Sequence, residues 1–166
     1  GKQAQRLAMM RANVSHFGLP LVYANLVGGQ DELVFDGASF AIEPGGRLAF
    51  QGKSFVEDFI VSDWKRTDDG WRCIKGDVVP LVSSDEAPWR ACVLGLRDYV
   101  LKNGFKHVVL GLSGGIDSAL TPATAAHALG AVRVRAVMMQ SPYTDQMSRN
   151  DTREQVRRPG VRHDDN

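Results

Sequence analysis

Cysteine is scarce in this chain of 166 residues, which carries only Cys73 and Cys92. Two cysteines this far apart exclude a disulfide framework and a zinc knuckle, and they are typical of a reducing compartment. An excess of charge of one sign is also lacking, because 20 basic side chains accompany 19 acidic ones and the net charge is +1. The composition therefore indicates neither a nucleic acid nor a membrane surface as a partner.

Long apolar stretches are lacking too. Residues 1–6 contain no apolar core of the kind found in signal peptides, and no run approaches the roughly 18 apolar residues of a membrane span. We therefore expect a soluble, cytoplasmic protein. Its hydrophobic fraction of 43% is sufficient for one globular domain or for parts of two.

The first sixty or so residues combine one helical pattern with several strand patterns. Leu7, Met10, Val14 and Phe17 recur at spacings of three and four, which predicts an amphipathic helix that Gly18 ends. Strand patterns with a Pro-Gly-Gly turn between the second and third follow, at residues 21–27, 38–42, 47–50 and 55–61. This part of the chain is typical of the edge of a larger mixed sheet.

Residues 63–85 have no sustained period, and we interpret them as an interdomain connector. Ser83 and Glu86 have the spacing of a capping box, which predicts the start of a helix that Gly104 ends. A second pattern predicts a helix at residues 148–158.

Between these helices the patterns predict a βαβ unit. A strand at residues 107–110 precedes a glycine-rich loop, a helix at 117–129 and a strand at 134–139. Such a unit implies a parallel sheet. The sequence therefore predicts an α/β fold.

The most informative residues lie at the first turn of this unit, between strand and helix: Gly111, Leu112, Ser113, Gly114, Gly115, Ile116, Asp117 and Ser118. The first N–H groups of a helix are unpaired and the helix dipole is positive there, so an anion is favoured. Gly114 and Gly115 let the backbone approach phosphate oxygens, and the hydroxyls of Ser113 and Ser118 can donate hydrogen bonds. The turn is therefore predicted to bind a polyphosphate.

Asp117 adds a requirement to this prediction. A carboxylate beside a phosphate repels it by several kcal/mol at low effective dielectric unless a cation lies between them. The hypothesis therefore includes Mg²⁺. No lysine follows the glycines, which excludes the G-x-x-x-x-G-K-[ST] loop, and no G-x-G-x-x-G dinucleotide motif is present.

Two other interpretations of the loop remain open from the residues alone. Residues 111–115 also fit G-x-S-x-G, in which Ser113 would be the nucleophile of an α/β-hydrolase. That mechanism needs a downstream acid and histidine, and only His127 and His163 follow. The third interpretation is a glycine-rich turn without a ligand.

Residues 113–118 match S-G-G-x-D-S, and on this motif the chain resembles the ATP pyrophosphatases, or PP-loop enzymes. These include NAD⁺ synthetase, GMP synthetase and asparagine synthetase. The segments LGLSGGIDSA (110–119), LGLRDYVLKNGF (94–105) and SPYT (141–144) are similar to the NAD⁺ synthetase branch. The segment YANLVGGQDELVFDGAS (23–39) resembles the nitrilase-like amidase domain that is fused to glutamine-dependent NAD⁺ synthetases.

The resemblance implies a particular fold and domain organisation. Residues 1–62 would be the C-terminal part of a nitrilase-like α-β-β-α sandwich that acts as a glutaminase, and residues 63–85 a connector. Residues 86–166 would be the first βαβ of a Rossmann-like adenine nucleotide alpha hydrolase (PP-loop) domain. We expect a homo-oligomer in the full-length protein.

The resemblance also implies an activity. The family makes NAD⁺ from deamido-NAD⁺ and ATP through an adenylated intermediate, with ammonia that the glutaminase domain releases from glutamine. No catalytic residue is assigned in this chain, because the Glu-Lys-Cys triad of the glutaminase is expected before Gly1. Further contacts to deamido-NAD⁺ and a second metal ligand are expected after Asn166.

A few roles transfer residue by residue. Residues Gly111 to Ser118 correspond to the ATP-binding loop, and Asp117 to a Mg²⁺ ligand. Lys2 resembles the basic residue that contacts glutamine, and its alternative interpretation is a solvated helix lysine. Pro122, Gln140 and Pro159 depart from the family pattern, which leaves a catalytically inactive remnant as a further hypothesis.

Overall fold

The computed structural model describes residues 2–112, 116–138 and 160–165. The chain divides into two compact units. The first consists of Gly1–Gly28 with Val34–Ala91, and the second of Gly29–Leu33 with Cys92–Asn166. Within the described ranges, no helix combines the length and the apolar character needed to cross a membrane.

The first unit opens with helix α1 (Lys2–Phe17), which confirms the helix predicted from apolar spacing. Val14 is buried, and Leu7 and Met10 pack beside it, whereas Phe17 is exposed. Gly18 ends the helix with φ of 64°, a left-handed conformation that glycine adopts without steric cost.

Five short strands follow: β1 (Leu21–Tyr23), β2 (Val27–Gln30), β3 (Leu33–Asp36), β4 (Phe40–Ile42) and β5 (Leu48–Gln51). An antiparallel sheet has the order β1-β4-β5, and β2 pairs with β3. Because successive strand residues point to opposite faces, Phe40 and Ile42 pack with Val14 of α1, while Ala41 packs with Phe50 on the other face. The central strand β4 is therefore buried on both sides.

Two strand predictions need correction. The pattern at 21–27 is split between β1 and the start of β2, and the predicted strand at 55–61 is wrong. Phe55 has a left-handed φ of 61°, and the Asp58 carboxylate accepts the Lys53 N–H at 3.0 Å. These local contacts turn the chain where a strand would have to be extended.

Residues 63–85, interpreted from sequence as a connector, contain an antiparallel hairpin of β6 (Asp63–Thr67) and β7 (Gly70–Lys75). Trp64 and Cys73 of this hairpin pack against the buried residues Ala41, Ala49 and Phe50. The hairpin thus covers the face of the β1-β4-β5 sheet opposite α1, and it belongs to the first unit.

Helix α2 (Glu86–Lys102) begins as predicted, because the Glu86 N–H donates to Ser83 Oγ at 3.1 Å. Gly104, with φ of 74°, follows its last turn. The helix starts in the first unit and continues from Cys92 in the second. In the second unit its Leu96 packs against the apolar core described next.

The second unit contains β8 (Val108–Leu112), α3 (Ile116–Leu129), a 3₁₀ turn at Ala131–Arg133, β9 (Val134–Met138) and β10 (Arg162–Asp165). The sheet order is β10-β9-β8, and both pairings are parallel. Leu112, Ala125, Val134 and Ala136 form the buried core with Val161. The predicted βαβ unit is confirmed, β10 was not predicted, and the predicted helix at 148–158 lies outside the described residues.

Candidate functional site

The predicted phosphate-binding loop lies at the carboxyl end of β8. Gly111 and Leu112 are the last residues of this strand and pair with Val137 and Met138 of β9. Leu112 is 1% exposed and anchors the strand end in the core, whereas Gly111 is exposed. The loop therefore starts from a firmly held strand end.

The other end of the loop is the amino end of α3. Ile116, Asp117 and Ser118 form the first turn of this helix of 14 residues. Ser113, Gly114 and Gly115 lie outside the described residues, so only the strand and the helix that flank them are located. The carboxyl end of a parallel strand followed by a helix N-terminus is where α/β proteins hold anionic groups.

These flanking elements fit a polyphosphate, because the exposed Gly111 has no side chain and the first N–H groups of α3 have no helical acceptor. Among the described residues, no cluster of three or more His, Cys, Asp or Glu side chains is arranged to hold a metal. Mg²⁺ is commonly held by one or two carboxylates together with substrate phosphates rather than by a protein cage. A single carboxylate in the position of Asp117 is compatible with that mode.

Pro122 lies inside α3, which continues through it without a break. The side chain is fully buried, so its apolar contacts offset part of the roughly 3 kcal/mol that proline costs inside a helix. The departure at Pro122 is thus compatible with the helix that follows the loop. Gln140 and Pro159 lie outside the described residues.

The serine hydrolase interpretation needs a histidine beside Ser113, and the structure places the two downstream histidines in α3 and β10. His127 is in the last turn of α3, eleven residues after Ile116 and therefore about 16 Å along the helix axis. His163 lies in β10, a strand that pairs with β9 and not with β8. A histidine must hydrogen-bond the serine directly to act as its base.

Lys2 lies in the first turn of α1 and is exposed. It lines a cavity of about 630 Å³ in the first unit, together with Gln3, Arg6, Asp36 and Ser54. Arg6 donates hydrogen bonds of 2.9 to 3.0 Å to both carboxylate oxygens of Asp36. A bidentate ion pair therefore forms part of the cavity wall.

One polar atom of this cavity is unsatisfied. Gln3 donates through Nε2 to Ala38 O at 3.3 Å, but its buried Oε1 accepts no hydrogen bond from any described residue. Buried acceptors are normally paired, so a donor from a ligand or from water is expected there. Sequence reasoning missed Gln3, Arg6 and Asp36, because their pairing joins residues about thirty positions apart.

The architecture defines the class of the protein, which is a mixed α/β protein with a parallel βαβ unit. Residues 88–164 match the NAD synthase family. The chain is 48% identical over 164 residues to a glutamine-dependent NAD(+) synthetase of Rhodobacter capsulatus, covering 99% of this chain and 30% of that protein. Over nearly its whole length the chain is thus similar to glutamine-dependent NAD(+) synthetases, and it spans about 30% of the length of this relative.

Solved structures agree. A glutamine-dependent NAD⁺ synthetase from Acinetobacter baumannii in complex with ADP is 42% identical and has a TM-score of 0.90, covering 99% of this chain and 31% of that chain. A second such synthetase, from Cytophaga hutchinsonii, has a TM-score of 0.75 at 20% identity, covering 99% of this chain and 33% of that chain, and supports the fold alone. These similarities do not support the serine hydrolase interpretation.

Proposed function

We propose that this chain is part of a ligase that makes NAD⁺ from deamido-NAD⁺, ATP and ammonia derived from glutamine. Residues 1–62 form the end of its nitrilase-like glutaminase domain, residues 63–85 the connector and residues 86–166 the start of its PP-loop synthetase domain. In the reaction, a carboxylate oxygen of deamido-NAD⁺ attacks the α-phosphorus of ATP and pyrophosphate leaves. Ammonia then attacks the acyl carbon and AMP leaves.

The observation that carries this proposal is the extent of the similarity. Identity of 48% extends over 164 residues, which include both units and not the loop motif alone. ADP in the Acinetobacter baumannii structure supports an adenine nucleotide as the ligand of the corresponding synthetase. The strand end and helix start on either side of the loop are compatible with the same ligand here.

We assign the following roles to residues of this chain. The backbone of residues 111–118 and the hydroxyls of Ser113 and Ser118 hold the phosphates of ATP. Asp117 holds Mg²⁺, which when bound neutralises the charge of the phosphates. Lys2 binds the carboxylate of glutamine as an opposite charge. No member of the glutaminase triad is assigned in this chain.

The proposal can be tested in a chimera. The segment of the Rhodobacter capsulatus synthetase that matches this chain is replaced by these 166 residues, and the chimera receives deamido-NAD⁺, glutamine and ATP labelled in the α- and γ-phosphates. We expect NAD⁺, AMP and pyrophosphate in equal amounts. Release of ADP and phosphate would contradict the adenylation route.

An inactive remnant is the alternative, and the proline inside α3 is the observation that favours it. If it is correct, the chimera folds but makes no NAD⁺ from either glutamine or ammonia. Restoration of turnover by Pro122→Ala would then identify the proline as the cause.

A cytoplasmic location and a homo-oligomeric assembly remain proposals that rest on the family resemblance. Within the described residues β1 is an edge strand, and an edge strand can pair with a strand of another chain. Light scattering on the chimera measures its assembly, and a monomer at micromolar concentration would contradict this part of the proposal.

A further inference from the structure

The tip of the β2–β3 hairpin is held by helix α2. Gly29–Leu33 belong to the second unit, although the residues on either side of this tip belong to the first. The Gly29 N–H donates to Asp98 Oδ2 at 2.8 Å, and Lys102 Nζ donates to Gly29 O at 2.7 Å. Two charged side chains, one turn apart on α2, therefore bind both backbone polar groups of one residue.

The charges and packing of this contact make it specific. The Asp98 side chain is only 16% exposed, and Lys102 Nζ lies 3.6 Å from its carboxylate. Hydrogen bonds with one charged partner are stronger than those between neutral groups. We call Gly29, Asp98 and Lys102 the Gly29 clip.

Gly29 also lies close to the backbone of α2. A Cβ at this position would be 3.0 Å from Gly95 Cα and 3.2 Å from Gly95 O. Glycine is unfavourable inside a helix relative to alanine, and the close approach of Gly29 gives a reason for Gly95 in α2. Neither backbone can move aside as a flexible side chain would.

The base of the hairpin is held as firmly in the first unit. Asp36, the last residue of β3, accepts hydrogen bonds from both terminal nitrogens of Arg6 and from Asn25 Nδ2 at 2.8 Å. Arg6 and Asp36 also line the cavity that contains Lys2. The base of the hairpin, at Asp36, therefore lines the cavity, and its tip contains Gly29 of the clip.

The helix that holds the tip packs against the core of the second unit. Leu96, between Gly95 and Asp98 on α2, packs against the core that includes Leu112, the last residue of β8. The clip therefore joins the hairpin tip to a helix that packs on the core containing Leu112, within the second unit. Coupling between sites is demonstrated only by a coupling measurement.

We propose that the Gly29 clip is a positioning device that synthesis with glutamine requires and synthesis with free ammonia does not. This inference rests on the proposed function. Ammonia from solution needs only the synthetase site, whereas ammonia from glutamine needs both sites to act together. Asp98 and Lys102 act through the Gly29 backbone and contact no reacting atom.

The experiment compares variants of the chimera with both nitrogen donors. Gly29→Ala removes the close approach, Asp98→Ala the acceptor and Lys102→Met the donor. Gly45→Ala is the matched glycine control, because a Cβ there meets no atom within 4 Å. Arg90→Met is the control on the same helix, because it removes only the exposed Arg90–Glu86 pair.

We expect the three clip variants to lower the ratio of glutamine-supported to ammonia-supported kcat/KM by about 5-fold or more, the lower end of typical coupling between sites. The KM for ATP with ammonia should stay within about 2-fold, and Lys102→Arg should restore the ratio, because arginine can also donate to Gly29 O. Both controls should leave the ratio unchanged.

Equal losses with both donors would show that the clip only stabilises the fold, and unchanged ratios would show that it has no role; either result overturns the inference. An unsubstituted chimera that makes no NAD⁺ from ammonia would instead refute the proposed function, and the clip with it. An active chimera with unaffected variants refutes the clip alone.

Discussion

Arg47 holds the buried carboxylate of Glu43 with two nitrogens of its guanidinium, through Nε at 2.9 Å and through Nη2. The Glu43 side chain is completely buried, whereas that of Arg47 is 58% exposed. Glu43 also accepts the Cys73 N–H at 2.7 Å, and Arg47 donates to Cys73 O at 3.0 Å. The pair therefore fastens β7 to the turn between β4 and β5.

Replacing Arg47 should destabilise the chain more than replacing its neighbour Arg72. Arg47→Met leaves a buried carboxylate without its bidentate partner, and we expect a loss of about 2–3 kcal/mol in the free energy of unfolding. Arg72 lies 3.7 Å from Glu43 and is half exposed, so Arg72→Met should cost less than about 1 kcal/mol. Urea denaturation measures both, and equal losses would show that the bidentate geometry is unimportant.

The same pair predicts a loss of stability in acid. The hydrogen bond from Arg47, opposed by burial and reinforced by the Cys73 N–H, lowers the pKa of Glu43 below its ordinary 4.5. The unfolded chain therefore takes up this proton at a higher pH than the folded one. The stabilisation is complete above about 4.5 and is lost as the pH falls through the folded-state pKa. Glu43→Gln should flatten this part of the curve of stability against pH.

Gly76 should not tolerate a side chain. A Cβ at this position would lie 2.5 Å from Ala49 O and 3.0 Å from Cys73 Sγ. Since the first of these is a backbone atom of β5, relief requires the strand to move. We expect Gly76→Ala to lower the free energy of unfolding by about 1–3 kcal/mol. Gly45→Ala, in open space, should stay within about 0.5 kcal/mol in the same titration.

The cap of α2 provides a smaller, local prediction. Ser83→Ala removes the oxygen that accepts the Glu86 N–H, and we expect a loss of about 1 kcal/mol. Ser83→Asp retains an acceptor and should retain the stability. Ser84, whose hydroxyl contacts only Asp85 among the described residues, is the control for thermal denaturation. A Ser84→Ala loss equal to that of Ser83→Ala would contradict the cap.

Asp117 should affect nucleotide binding in opposite directions with and without metal. In the chimera with Mg²⁺, Asp117→Ala should weaken ATP binding by at least about 10-fold, because even outer partners of metal sites contribute 10- to 100-fold. With a chelator present, the variant should bind ATP more tightly, because a repelling carboxylate is gone. Calorimetry measures both. Asp69→Ala, in the β6–β7 turn, is the control. If Asp117→Ala changed the ATP affinity in the same direction with Mg²⁺ and with the chelator, Asp117 would be excluded as a metal ligand.

Helices α1, α2 and α3 and the βαβ unit were predictable because each follows from a local signal. Ser83, Gly104 and Gly130 mark ends, and the apolar residues between them have a helical or a strand period. The loop could be recognised in the same way, because its motif consists of consecutive residues. Its ligand contacts are not local and remain proposals.

The strand that was wrongly predicted and the hairpin that was missed depend on contacts that the local sequence pattern does not show. The pattern at 55–61 was read as a strand because its residues are apolar, yet Phe59 is 90% exposed and Asp58 bonds backward to Lys53. The β2–β3 hairpin was missed because Gly28 and Gly29 have no side chains to create a period. A Cβ on Gly29 would lie only 3.0 Å from Gly95 Cα of α2, and a single sequence does not reveal this close approach.

Pro122 has a mechanical consequence for α3. It has no amide hydrogen to donate, so the carbonyl of Ser118, four residues earlier, lacks its usual helical donor. The first turn, which includes Asp117, is thus joined to the rest of the helix by one backbone hydrogen bond fewer than in an ordinary helix. The body of the helix, in contrast, is anchored by Ala125, which is buried in the core of the second unit.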